Sequence, residues 1–389
     1  MNIKQTEEQY FMKTYKRADL IVKKAKNQFI WDTSGKKYLD FFSGISVCNL
    51  GHSHPAVIKA AKKQLNDFAH ISNLYYAPSQ IELGKELIKK GFGKRVFFSN
   101  SGAEANECAI KIARKRGLEN GGRYEIISFK KSFHGRTLAA LAATGQEKFH
   151  APFKPMIEKF VFADFNDIES VKNLISDKTC AIMAEVIQGE GGIAAANAEF
   201  LKGLRQICDE NNLLLIFDEI QCGMGRTGKF YAFQNFDIKP DIATLAKSLA
   251  NGLPLAATIA QEKAEDIFHY GDHGSTFGGN PVSCAAALAV LKTMDAKFLN
   301  NVLKMSKYLR EQLAQLAKKH NCIKEILGIG LMLGIALDKN GKDIVGACLK
   351  KGLIINCVQD TIIRLLPPLT ITNKDADAAV KILDEVLNQ

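Results

Sequence analysis

From about Gly51 to Thr276 the chain alternates short apolar runs with amphipathic stretches of helical length, and this constrains the fold more than any other feature. The runs Arg95–Ser99, Tyr124–Phe129, Ala181–Ile187, Leu213–Asp218 and Asp241–Ala246 read as buried strands. Glu104–Arg116 and Glu199–Asn211 read as helices between them. Strands alternating with helices predict βαβ units and an α/β fold with a mostly parallel sheet. Further on the pattern changes. A helix over Phe298–His320, strand-like Leu331–Leu337, Leu353–Asn356 and Ile362–Leu366, and a last helix from Lys374 predict a smaller α+β domain. A chain of 389 residues has outgrown a single core, so two domains fit its length.

Composition narrows the function classes. Apolar residues make up 47% and charged residues 24%, an ordinary globular balance. The net charge of +11 is spread in short clusters such as Lys62-Lys63 and Lys130-Lys131, with no basic stripe interleaved with aromatics. That argues against nucleic acid and suits anionic metabolites. The nine cysteines are scattered, none in a CxxC pair, and the N-terminus from Met1 to Arg17 has no apolar signal segment. Reduced thiols in a cytoplasm follow as the expectation, and no run is long enough for a membrane span.

In open α/β sheets ligands collect at the carboxyl ends of strands, so the residues after each apolar run carry the argument. Asn100-Ser101-Gly102-Ala103-Glu104 follows the first run. Ser101 with Glu104 predicts a capping box, and a strand-to-helix turn offers free N–H groups to a phosphate. Alone, it is more simply an ordinary helix cap. Asp218-Glu219 closes Leu213–Phe217; Asp218 there can hold a ring nitrogen protonated or bind a metal in a nucleotide site. No GxxxxGK[ST] loop accompanies it, which disfavours the nucleotide site. Lys247 closes the run from Asp241. A buried lysine has a depressed pKa and attacks aldehydes, although a single strand-end lysine is more often just reaching solvent.

Other segments need weighing. Gly223–Gly228 matches GxGxxG, but it does not open an apolar helix, so a flexible glycine loop is the expectation. His52-Ser53-His54 has no neighbouring ligand cluster, so a loop role is expected and no metal site. Ser132-Phe133-His134-Gly135-Arg136, Gln188–Gly192 and Gly274–Pro281 each follow strands or form small-residue turns.

Taken in order, these motifs resemble those of the class III aminotransferases of pyridoxal-5′-phosphate (PLP) fold type I. Phe217-Asp218-Glu219-Ile220-Gln221-Cys222-Gly223-Met224-Gly225-Arg226-Thr227-Gly228 is the most specific string, and the resemblance extends from Gly44 to Leu369. It implies a large domain with a mostly parallel sheet and a smaller α+β domain. The division expected is an N-terminal segment 1–47 packing with the small domain, a large PLP-binding domain 48–282 and a small domain 283–389. Lys247 would hold PLP as a Schiff base and Asp218 would pair with its ring nitrogen. Gln221 would lie near the ring oxygen, Ser101, Gly102 and Ala103 at the phosphate, and Phe133 on the ring. Thr276 would reach the phosphate of a neighbouring subunit, implying a homodimer with active sites at its interface. Arg136, with Ser275 nearby, would bind the substrate α-carboxylate, and Glu190 with Arg364 would form the pair that admits two kinds of substrate. Ala103 and Ile220 stand where Thr and Val are common in the family.

Within the class the resemblance is nearest to the branch that moves the terminal amine of N-acetylornithine to 2-oxoglutarate in arginine biosynthesis. Ornithine, succinyldiaminopimelate and 4-aminobutyrate are the alternative donors.

Overall fold

The computed structural model describes residues 3–388; residues 1, 2 and 389 of the expected terminal segments lie outside the described residues. A helix over Ile3–Tyr10 precedes three antiparallel strands, β1 (Val22–Lys26), β2 (Phe29–Asp32) and β3 (Lys37–Asp40). The large sheet draws on β4 (Arg95–Ser99), β5 (Glu125–Phe129), β6 (Phe160–Ala163) and β7 (Thr179–Glu185). A small hairpin of β8 (Ile187–Gln188) and β9 (Ala194–Ala195) follows. The large sheet then resumes with β10 (Leu214–Asp218), β11 (Ile242–Leu245) and β12 (Ala256–Ala260). Its spatial order is β4-β12-β11-β10-β7-β5-β6, and only β12 runs antiparallel to its neighbours.

The five strands expected between Gly51 and Thr276 lie in this sheet, although Ile187 at the end of one belongs to the small hairpin; β6 and β12 were not anticipated. β12 reads Ala-Ala-Thr-Ile-Ala, short side chains with weak strand preference, and β6 is only a four-residue run. β7, β10 and β11 are buried along their whole length, because helices cover both faces. Alternate residues go opposite ways. Leu214 and Ile216 pack with Ala109 and Ala113 of the helix Gly102–Glu119, whereas Leu215 and Phe217 share a core with Phe200 and Leu204 of the helix Ala198–Glu210.

The C-terminal part has β13 (Ile323–Ile329), β14 (Met332–Leu337), β15 (Leu353–Ile354), β16 (Asn356–Val358) and β17 (Ile362–Leu365), with helices at Ala296–Lys319 and Asn373–Leu387. The antiparallel order is β13-β14-β17-β16, while β15 leaves to pair in parallel with β3. The single strand expected over Leu353–Asn356 is therefore two, each serving a different sheet.

The glycine segment 223–228 corrects another expectation. It is buried rather than a flexible loop, and Arg226 within it is fully buried. The guanidinium donates to Ser46 Oγ at 3.0 Å, to the Leu331 and Pro367 carbonyls at 3.1 and 2.5 Å, and to Asn49 Oδ1. No carboxylate among the described residues pairs with it, and burial pulls its pKa down to about 9. One side chain thus ties the N-terminal segment, the large sheet's loop and the C-terminal part together. Replacing it by Met orphans several buried acceptors at once. Arg226→Met is expected to destabilise the protein by about 3 kcal/mol or more, read from urea unfolding midpoints.

Candidate active site

A cavity of about 430 Å³ opens at the carboxyl ends of the central strands. It is lined by Asn100–Ala103 after β4, Phe133–Arg136 after β5, Glu185 ending β7, Asp218 and Gln221 from β10 onward, and Lys247 after β11. Val47 and Gly252–Leu255 complete it. Five separate strand exits meet here, as the sheet geometry dictates.

Ser101 is the N-cap of the helix Gly102–Glu119, its Oγ accepting the Glu104 N–H at 3.3 Å. The reciprocal half of the expected capping box differs. The Glu104 carboxylate accepts from the Asn100 N–H at 2.9 Å and from the Ser101 hydroxyl at 3.1 Å, not from the Ser101 backbone N–H. As at the start of any helix, the N–H groups of the first helical residues, Gly102 and Ala103, have no intrahelical acceptor; both residues line the cavity, at the positive end of an 18-residue helix. Gly135, at φ +142, is needed for the close approach of the β5 exit: a Cβ there would stand 2.8 Å from the Ala103 Cβ.

Asp218 is 4% exposed and well held. Its Oδ2 accepts from Asn106 Nδ2 and from His134 Nδ1, both at 2.8 Å, and its Oδ1 accepts the Ile220 N–H at 3.0 Å. Asn106 is itself fixed, donating to the His134 carbonyl at 2.7 Å and accepting from Thr244 Oγ1 at 2.9 Å. An ionised Asp218 requires the proton on His134 Nδ1; the other ring nitrogen is buried with no protein partner. Sequence reasoning missed Asn106 and His134 as partners of Asp218. Asn106 lies in mid-helix, 112 residues from Asp218, and no spacing rule links them.

Lys247 follows β11 in a left-handed conformation, φ +45. Burial pushes its amine below the ordinary lysine range, against the pull of Asp218 and Glu190. Glu185, also missed from sequence, accepts the Phe133 N–H at 3.1 Å and is pushed up by burial and by Asp218. Glu219 points away into the core, where it accepts the Ala232 and Phe233 N–H groups at 2.7 and 2.9 Å. Burial raises it to about 7.

The arginines differ. Arg136 is exposed and lies over aromatic rings, 4.0 Å from the Phe149 centroid and 5.6 Å from that of Phe133. Arg364 is buried and paired with Glu190 at 2.5 Å, with a second bond to Gln221 Oε1 at 3.1 Å. Burial would raise Glu190, but Arg364 outweighs it and the carboxyl sits below its ordinary value. Ser275 and Thr276 are not among the cavity's lining residues in this chain: Ser275 Oγ accepts from Asn100 Nδ2 at 3.2 Å, and Thr276 is exposed. His52 pairs with Asp40 at 2.7 Å, and no metal-binding cluster occurs among the described residues.

The family model for class III aminotransferases matches residues 10–387. The acetylornithine aminotransferase of Caldanaerobacter subterraneus subsp. tengcongensis is 50% identical over 98% of both chains. That of Methanocaldococcus jannaschii is 47% identical over 98% of this chain and 97% of its own. The chain belongs to the class III aminotransferases. Solved structures agree: the N-acetylornithine aminotransferase of Stenotrophomonas maltophilia superposes with a TM-score of 0.85 at 33% identity, covering 99% and 98% of the two chains. The ornithine aminotransferase of Toxoplasma gondii gives 0.94 at 30%, covering 99% and 93%, and is described with partial occupancy of PLP at its active site.

PLP is the cofactor of this aminotransferase, and the cavity fits it on its own chemistry. A lysine whose amine is shifted toward neutrality can meet an aldehyde. A held carboxylate can meet a pyridinium, and free N–H groups at a helix start can meet a phosphate. Borohydride treatment of the holoenzyme should fix the cofactor to the peptide containing Lys247, and Lys247→Ala should abolish the mass increase. Glu219 generates a second expectation. Its folded pKa lies above the ordinary 4.5, so its stabilising contribution is complete in acid and lost as pH rises through about 7. Glu219→Gln should match the wild type's thermal stability in acid and exceed it in base.

Proposed function

We propose that this aminotransferase moves the terminal amine of N2-acetyl-L-ornithine to 2-oxoglutarate, giving N-acetyl-L-glutamate 5-semialdehyde and L-glutamate. The observation that carries the reading is a cavity lined by Arg136, which has no ion-pair partner among the described residues, while Arg364, paired with Glu190, stands behind the lining and bonds the cavity residue Gln221. The names of the relatives reported above support the choice of donor. Arginine biosynthesis in the cytoplasm is the setting that follows, and no helix among the described residues is long and apolar enough to cross a membrane.

PLP supplies the aldehyde that takes up the amine and a ring that accepts the electron pair of the broken C–H bond. The chain's residues do the rest. Asp218, oriented by His134 and Asn106, would keep the ring nitrogen protonated through a charge-assisted bond. Ser101, Gly102 and Ala103 would receive the phosphate, Phe133 would pack on the ring, and Gln221 would lie by its oxygen. Lys247 would hold the cofactor, and its free amine would serve as the proton carrier at the substrate carbon; a depressed pKa suits that task. Arg136 clamps the donor's α-carboxylate, which points the far amine inward. Glu190 neutralises Arg364 in that half of the reaction and releases it when 2-oxoglutarate brings a second carboxylate.

The working unit is read as a homodimer with Thr276 serving the neighbouring subunit's phosphate, and Ser275 standing near the substrate. The exposed placement of Thr276, outside its own chain's cavity, is consistent with that. We further divide the chain into the segment 1–47, a large part 48–282 and a small part 283–389. The β3–β15 pairing supports grouping the first with the third. The second boundary falls at the head of the helix Pro281–Thr293, which packs on the helices Pro55–Asp67 and Pro78–Ile88 and so joins the parts.

The test is glutamate production from 2-oxoglutarate with each candidate donor. N-acetylornithine should give the highest kcat/KM, and a higher value for ornithine or 4-aminobutyrate would reject the assignment. Glu190→Gln should leave Arg364 unmasked and shift the preference from N-acetylornithine toward glutamate as donor by about tenfold or more, since one desolvated ion pair is removed.

A further inference from the structure

We infer that Phe149 is a positioning residue for carboxylate recognition: its ring holds Arg136 aimed at the cavity while leaving the guanidinium uncompensated. The inference rests on the reading of Arg136 as the carboxylate site. Arg136 lines the cavity, is exposed, and makes no ion pair or side-chain hydrogen bond among the described residues. A long, solvent-facing arginine with no partner should sample many rotamers, and binding a carboxylate would then cost that freedom. Here the guanidinium carbon lies 4.0 Å from the Phe149 centroid, close enough for face-on contact, with the Phe133 ring at 5.6 Å. The two rings meet edge-to-face, 6.0 Å apart and 80° between planes, so they form a corner around the cation.

Chemistry explains why a ring and not a carboxylate does this. An aromatic face attracts the cation without using its N–H edges, so the fork stays free for a bidentate carboxylate. An acidic partner would orient Arg136 equally well but would have to be displaced by every substrate, as Glu190 must be at Arg364. Phe149 is also anchored for the purpose. Its N–H donates to the Gln146 carbonyl at 3.0 Å, and the buried Gln146 side chain donates to the Ser132 carbonyl at 3.0 Å. The next residue, His150, bonds the Leu141 carbonyl through Nε2 at 2.9 Å. The platform is thus tied to the same strand exit that carries Phe133 and Arg136. Phe149 does not itself line the cavity, so it acts through Arg136.

The test compares Phe149→Leu, which keeps an apolar side chain but no π face, with Phe149→Tyr, which keeps the face. Two amines are offered to the holoenzyme and followed by the cofactor's absorbance: N-acetylornithine, and 4-acetamidobutylamine, the same molecule without its α-carboxylate. Glutarate, a non-reacting dicarboxylate, is titrated in parallel. Phe149→Leu should raise the half-saturation constants for N-acetylornithine and glutarate about fivefold, the upper end for a cation–π contact at an exposed site. It should leave that for 4-acetamidobutylamine within about twofold. Phe149→Tyr should restore the first two. An equal loss for the carboxylate-free amine, or no change for glutarate, would overturn the proposal. Should N-acetylornithine fail to react with wild type while glutarate binding still falls in Phe149→Leu, the donor assignment is lost and the platform stands. Unchanged thermal unfolding and unchanged absorbance of the bound cofactor in Phe149→Leu separate the effect from misfolding.

Discussion

Everything proposed for this site depends on how the Asp218 carboxyl is held in a place where water hardly reaches. Removing a carboxylate from water is costly unless hydrogen bonds and a cation replace the solvent. The fold supplies three donors, from Asn106, His134 and the Ile220 backbone, each brought by a different element. The sheet provides the location and a helix on its face provides Asn106. In the proposed function the cofactor's ring nitrogen would take the remaining role of cation.

The surrounding charges are graded around that centre. Glu185, without a cation of its own, is pushed toward its neutral form. Lys247 is pushed toward its neutral amine. Glu190 is held below its ordinary value by its pairing with Arg364. Arg136 has no ion-pair partner among the described residues and lies over aromatic faces instead. In the proposed function, two arginines prepared so differently would distinguish a substrate with one carboxylate from one with two.

Much of this was legible in the sequence, for a physical reason. Lys247, Asp218, Ser101–Ala103, Phe133 and Arg136 each follow an apolar run, and the strand exits of an open sheet converge, so local pattern was enough to bring them to one cavity. Asn106, His134 and Glu185 act through contacts between distant segments, which no local pattern encodes. Glu185 was read simply as part of a strand, and it is the strand's end that turns it toward Phe133. Gly223–Gly228 misled for the opposite reason. Glycine density suggests freedom, but the long side chain of Arg226 buries the segment and pins it. β12 escaped notice because alanine-rich strands carry no clear period. Ser275 and Thr276 stand outside the cavity of a single chain, which a motif alone could not have indicated.

The most direct measurement is the visible spectrum of the PLP-loaded protein before and after N-acetylornithine is added with no oxo acid present. The account requires a visible band tied to Lys247 that disappears into the near ultraviolet as the amine is transferred, with one equivalent of semialdehyde released per site. A band that persists unchanged with N-acetylornithine yet collapses with ornithine or 4-aminobutyrate would contradict the proposed substrate. Absence of any band in the presence of excess PLP would contradict the assignment of Lys247 and Asp218, and the central claim with it.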